Sequence, residues 1–127
     1  MAKPSFHLLG DLEKQIMEIV WKQEQVTVRG VVEILHKKRE IAYTTVMTVM
    51  NRLSEKKLLT RKEDGGAFAY VATQKRELFM SRASENVIRG LLSECGEVAI
   101  AQFVEALEDV DPAKLALLEK KIREKRS

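Results

Sequence analysis

A chain of 127 residues, 45% apolar and 32% charged, has room for one small domain with an oligomerising arm, and this composition excludes a disordered chain. No apolar run approaches the ~20 residues that span a bilayer, and the lone Cys95 excludes both an internal disulfide and a cysteine-rich metal or iron–sulfur centre. The net charge of +3 lies wholly in residues 1–72, where 12 Lys/Arg face 9 Asp/Glu; residues 73–127 balance at 10 and 10.

Met1–Phe6 is not followed by an apolar stretch, so no signal peptide is expected, and a single cysteine fits a reducing cytoplasm. Leu9, Leu12, Ile16, Ile19 and Val20 recur at helical spacing and predict a first helix over about 10–23, its apolar face closed by Trp21. Thr27 is an N-cap candidate for a second helix, about 28–38, with Val28, Val31, Val32 and Leu35 inward and Lys37-Lys38-Arg39 at its end. Residues 43–56 are rich in β-branched side chains, which by propensity favour a strand. Their periodicity favours a helix: Val46, Val49, Met50 and Leu53 share one stripe, whereas strict alternation would bury Thr48 and expose Val49.

The period then changes to two. Residues 58–62 and 67–71 read as two strands around Asp64-Gly65-Gly66, a tight-turn signal, with Phe68 and Tyr70 on one face. Thr73 reads as the N-cap of a fourth helix over about 74–93, with Met80, Ala83, Val87, Ile88, Leu91 and Leu92 on one stripe. A break at 93–96 precedes a fifth helix, about 97–107, presenting Ile100, Phe103, Val104 and Leu107. Asp111-Pro112 marks the start of a sixth that runs to about 125.

Three short helices followed by a hairpin describe a winged helix-turn-helix, in which the third helix enters the DNA major groove and the wing meets the backbone. The expected fold class is therefore mainly α with a small β-hairpin, a winged helix-turn-helix followed by a C-terminal helical arm. Residues 37–62 carry eight basic against two acidic side chains, a local excess that suits nucleic acid. On the wheel of helix 3, Thr44, Thr48 and Asn51 point away from the core stripe, flanked by Thr45 and Arg52 on one side and Met47 on the other. Threonine offers a hydroxyl to base edges or phosphates and a methyl to thymine, and Arg52 reaches toward phosphate. Arg61 and Lys62, near the hairpin tip, are candidates for flanking backbone. Met47 reads equally as a core contact or a groove contact, and Tyr43 as a half-buried residue at the helix start rather than a base reader.

The run Ala42-Tyr43-Thr44-Thr45-Val46-Met47-Thr48-Val49-Met50-Asn51-Arg52-Leu53, followed by Lys56-Lys57-Leu58-Leu59, closely resembles the penicillinase-repressor family (BlaI/MecI/CopY type). Leu9-Gly10-Asp11-Leu12-Glu13 with Ile16-Met17 and Val20-Trp21 resembles that family's first helix, and Thr27-Val28-Arg29 with Val32 and Leu35 its second. The resemblance covers about 7–72 strongly. It implies a bacterial transcriptional repressor that binds a dyad-symmetric double-stranded DNA operator as a homodimer. Residues 1–72 would form the DNA-binding domain and 73–127 the helical dimerisation region. Met80, Val87, Leu91, Ile100, Phe103, Val104 and Leu107 would then line the dimer interface, since such stripes are too apolar to be exposed on a monomer; the competing reading is internal packing against the winged domain.

Copper-responsive relatives carry paired Cys-x-Cys motifs, which a chain with only Cys95 lacks. β-Lactam-responsive relatives are inactivated by proteolysis in the dimerisation region, beside a phenylalanine preceded by asparagine, which leaves a sensor or protease open as a partner. The comparable bond here is Gln102–Phe103, where glutamine departs from the pattern; the competing reading of Phe103 is a packing anchor of helix 5. His7 and His36 are isolated, Cys95 reads as a small structural residue, and Gly65-Gly66 is a turn rather than a phosphate loop. No catalytic site, metal or cofactor is expected, and no membrane partner. Two rival classes are a winged-helix protein–protein module, which would need apolar anchors on helix 3, and a repressor that senses a small ligand.

Overall fold

The computed structural model describes residues 7–127, with Asp64 by its backbone alone; Met1–Phe6, where no signal peptide is expected, lie outside the described residues. Among the described residues the order is α1 (Asp11–Gln23), β1 (Val26–Thr27), α2 (Val28–His36), α3 (Tyr43–Glu55), β2 (Leu59–Asp64), β3 (Ala67–Ala72), α4 (Arg76–Cys95), α5 (Glu97–Ala106), a 3₁₀ turn (Leu107–Asp109) and α6 (Pro112–Arg126). The chain divides into two compact units, one running to Ala83 and the other from Ser84.

The core of the first unit is built from one stripe per helix. Ile16, Met17 and Val20 of α1 meet Val28, Val31 and Leu35 of α2 and Val46, Val49, Met50 and Leu53 of α3, closed by Leu59 and Tyr70 from the sheet. In α3 the apolar stripe therefore overrides the β propensity of its threonines and valines, because only a helix buries all four residues at once.

The sheet has three strands, not two, in the order β1-β3-β2. Val26 pairs with Tyr70 and Thr27 with Ala69, which makes β3 the central strand. A two-residue strand has no readable period, and Thr27 does serve as the expected cap: its hydroxyl accepts from Gly30 N–H at 3.0 Å. The wing closes through Gly65 and Gly66, both at positive φ (60° and 88°), the conformation of a two-residue hairpin loop that glycine adopts without strain.

Thr73 does not cap α4. Its hydroxyl donates to the carbonyls of Lys57 and Leu58 at 2.8 and 3.2 Å, tying the end of the sheet to the turn after α3, and α4 starts two residues later than expected. The first turns of α4 pack on α1. Phe79 is buried with its ring 5.5 Å from that of Trp21, whose indole N–H donates to Gln74 O at 3.0 Å, and Arg76 pairs with Glu18 at 2.8 Å.

In the second unit Gly96, at φ 55°, separates the end of α4 from α5. Asp111 caps α6 as its sequence implies, accepting from Ala113 N–H at 2.8 Å with Pro112 in the first turn. Neither α5 nor α6 buries a single residue.

Candidate nucleic-acid interface

α3 is held from both ends. At its start, a His36 ring nitrogen lies 2.8 Å from Ile41 O, bridging the turn that joins α2 to α3. At its end, Lys57 at φ 65° closes a Schellman-type stop, with Leu58 N–H donating to Leu53 O at 2.9 Å and Lys57 N–H to Ser54 O at 3.0 Å. Lys56 reaches back to Glu13 at 2.7 Å, and that bond, helped by the Gly10 amide, holds the Glu13 carboxyl below its ordinary range. The outer face of α3 is thus presented on a braced rod.

That face carries two parallel rows. Thr44, Thr45, Thr48 and Arg52 are exposed together on one side. The Thr48 hydroxyl donates to Thr44 O at 2.9 Å, so in this geometry its oxygen offers lone pairs to a ligand rather than a proton. Tyr43, Met47 and Asn51 form the other row and line a groove of about 580 Å³ between α3 and the wing. The sequence grouped Asn51 with the threonines. The structure places it in the groove, half-buried, where its Oδ1 accepts the Tyr70 hydroxyl at 3.1 Å. Tyr43 is 48% exposed and Met47 is 37% exposed; both line this hollow, so Met47 is not a core contact.

The wing completes the groove. Arg61 pairs with Tyr70 across the ladder and its guanidinium lies 4.2 Å from the centre of the exposed Phe68 ring, a diagonal neighbour on the same face. Lys62 pairs with Ala69 and, by strand alternation, stands on the opposite face of the wing. Arg61 is therefore the wing cation that shares a groove with α3, while Lys62 is not in it. Sequence reasoning missed Arg29, exposed in the first turn of α2 and also lining the groove, because nothing in its spacing ties it to α3. Among the described side chains Arg29, Arg52, Arg61 and Lys62 make no ion pair.

A second hollow of about 670 Å³ lies between the end of α1 and the segment that enters α4. Its main polar groups already satisfy one another through the Arg76–Glu18 pair and the Trp21–Gln74 bond. Of the arm residues, Met80, Val87 and Leu107 are half-buried, whereas Leu91, Ile100, Phe103 and Val104 are each at least 50% exposed. Gln102 and Phe103 both lie within the helical turns of α5. Among the described residues no helix is long and apolar enough to cross a membrane.

The winged fold is shared with solved regulators. A MarR family protein from Bacillus stearothermophilus superposes with a TM-score of 0.50 at 14% identity, over 94% of this chain and 74% of that one. A mutant MarR from E. coli does so with a TM-score of 0.51 at 10% identity, over 94% and 79%. By sequence, the Transcriptional regulator BlaI of Mycobacterium tuberculosis is 36% identical over 115 residues, 87% of this chain and 83% of the relative. The Methicillin resistance regulatory protein MecI of Mammaliicoccus sciuri is 23% identical over 97 residues, 76% and 79%. The family model described as penicillinase repressor matches residues 9–124. Carrying a regulator's winged helix, and matched by that model over nearly its whole length, the chain belongs to the penicillinase repressor family of DNA-binding transcriptional repressors.

Proposed function

We propose that this repressor works as a homodimer in the cytoplasm, each copy laying α3 in a major groove of a dyad-symmetric operator. Residues 1–72 read DNA and 73–127 make the dimer. Thr44, Thr45, Thr48 and Asn51 face base edges; Arg52 and Arg61 meet phosphates within reach of α3, and Lys62 meets flanking backbone from the other face of the wing. The observation that carries the dimer is the state of α5 and α6, two helices of 10 and 15 residues with no buried side chain. Helices of this kind are stabilised by packing an apolar face, and here Ile100, Phe103 and Val104 are each more than half exposed among the described residues. A second copy supplies that packing, and two-fold symmetry in the protein then implies a two-fold operator.

Phe103 serves in this arrangement as an interface anchor together with Met80, Val87, Leu91, Ile100, Val104 and Leu107. Cleavage of Gln102–Phe103 by a protease coupled to a sensor would sever α6 and the last turn of α5 from the DNA-reading part. The bond lies inside α5, so a protease must first unwind that helix. Intact-mass measurement during derepression decides the point: a cut chain at this bond supports regulated proteolysis, and a full-length chain rejects it.

The dimer is tested by equilibrium sedimentation of the wild-type chain and Val87→Asp. A wild-type dimer and a monomeric variant that retains weak half-site binding support the arrangement. A variant that dimerises as the wild type does places the interface elsewhere.

A further inference from the structure

The boundary between the two compact units, after Ala83, falls inside one unbroken helix, α4. The first turns of α4 are docked on α1 by two pairs in register. Glu18 and Trp21 stand three residues apart on α1, and Arg76 and Phe79 three apart on α4, so each couple shares one helix face. Arg76 Nε donates to both Glu18 carboxylate oxygens, at 2.8 and 3.2 Å. The Phe79 ring, 8% exposed, lies 5.5 Å from the Trp21 ring and is tilted from it by 42°. A third tie, from the Trp21 indole N–H to Gln74 O at 3.0 Å, holds the segment that enters α4. The ion pair is exposed on both sides and contributes little by itself; the buried aromatic contact carries the docking. One contact would let α4 pivot, whereas ties spread from Gln74 to Phe79 fix its direction and its rotation. Another face of α1, with Ile16, Met17 and Val20, shares the core with α3. α1 thus holds the reading helix on one face and the start of the arm on another.

Resting on the reading that two copies occupy one operator, we infer that the Trp21–Phe79 contact sets the separation of half-sites that the repressor accepts. α4 continues beyond Ala83 to Cys95, into the region that meets the second copy. A helix docked over its first turns carries that region as a lever, not on a tether. Each base pair added between half-sites shifts one from the other by about 3.4 Å and turns it by about 35°. A fixed lever does not follow that turn. A pivoting one does, but it holds the second reading helix at a lower effective concentration over the correct half-site. Trp21 and Phe79 are thus positioning residues for specificity, acting through the path of α4.

The test uses the full chain and the palindromic duplex it enriches from a random pool, with one or two base pairs added to or removed from the centre. The wild type should bind the re-spaced duplexes about tenfold more weakly or worse. Phe79→Ala should open the contact, seen as a red shift in the emission of Trp21, the chain's one tryptophan. Its affinities for the different spacings should fall within about threefold of one another, mainly through weaker binding at the original spacing. Binding to an isolated half-site and the mass of the free dimer should stay as in the wild type. Should that variant fail to fold, or leave the emission unchanged, three glycines inserted between Ala83 and Ser84 carry the test. They keep the contact, unlink it from the arm, and should flatten the spacing preference equally. A wild type that binds re-spaced duplexes as well as the original overturns the inference. So does a spacing preference retained in Phe79→Ala with the contact open, or in the glycine insertion. An equal loss on half-site and palindrome in Phe79→Ala makes Phe79 a structural residue only and also overturns it. A wild type that is monomeric, or that enriches no palindrome, overturns the two-copy reading itself, and this inference with it.

Discussion

Threonine is a mediocre helix former, yet α3 carries it at 44, 45 and 48 on exposed positions where packing demands nothing. The proposed contact with DNA would account for that choice. If Thr48 reads a base edge, Thr48→Ala should lose roughly 1–3 kcal/mol on the selected operator and nothing on random duplex, as measured by paired binding titrations. Arg61 has the opposite signature. Stacked on Phe68 and facing the groove, it should contact phosphate, so Arg61→Gln should weaken specific and random duplex alike and lower the salt slope by about one unit. An effect confined to one sequence would make Arg61 a base reader. Glu13 has a pH signature. In the folded chain Lys56 and the Gly10 amide hold its carboxyl below the ordinary carboxylate range. Its stabilising contribution is therefore complete above the ordinary carboxylate range and fades as pH falls through the lowered one. The melting temperature of Glu13→Gln should lie below wild type at neutral pH and converge on it in acid; a constant gap would contradict the assignment. At this scale the core stripe of α3 was legible from spacing alone, and so was the polarity of the opposite face. The place of Asn51 was not, because a helical wheel knows the direction of the core but not that β3 lies alongside with a buried hydroxyl.

The elements were legible wherever a period ran for two turns or more, and lost where it did not. β1 has two residues and its pairing partner lies over forty positions away, so only the folded sheet reveals it. The late start of α4 has a similar cause: Thr73 looks like a cap locally, but its hydroxyl is drawn to the Lys57 and Leu58 carbonyls by the tertiary fold. Phe79 was overlooked for the same reason, being off the arm's stripe and buried on Trp21. The stop after α3 makes a specific prediction. Lys57 holds a left-handed conformation that costs a non-glycine residue roughly 1 kcal/mol, while glycine adopts it freely. Lys57→Gly should raise the urea midpoint of the chain, by an amount reduced by the extra freedom glycine has when unfolded. A lowered midpoint would show that the Lys57 side chain contributes more than its backbone strain costs. Leu53→Ala, at a fully buried position of the same helix, should cost about 2–5 kcal/mol in that assay.

For the whole molecule, the apolar side chains divide between two tasks. Those of α1, α2 and α3 fill the core of the first unit, whereas α5 and α6 bury no side chain among the described residues. The sequence showed both sets of stripes with equal clarity but not what packs on each, since periodicity records that a face is apolar and not what meets it. In the proposed homodimer the two halves are joined: weak reading by one short helix would become useful when a second copy is tethered to the adjoining half-site. The most direct measurement is the native mass of the complex formed on the duplex that the wild type enriches from a random pool at ~0.15 M salt. Two 14.5-kDa chains on one palindromic duplex is the predicted result. A single chain on a non-palindromic duplex, unaffected by Val87→Asp, would contradict it.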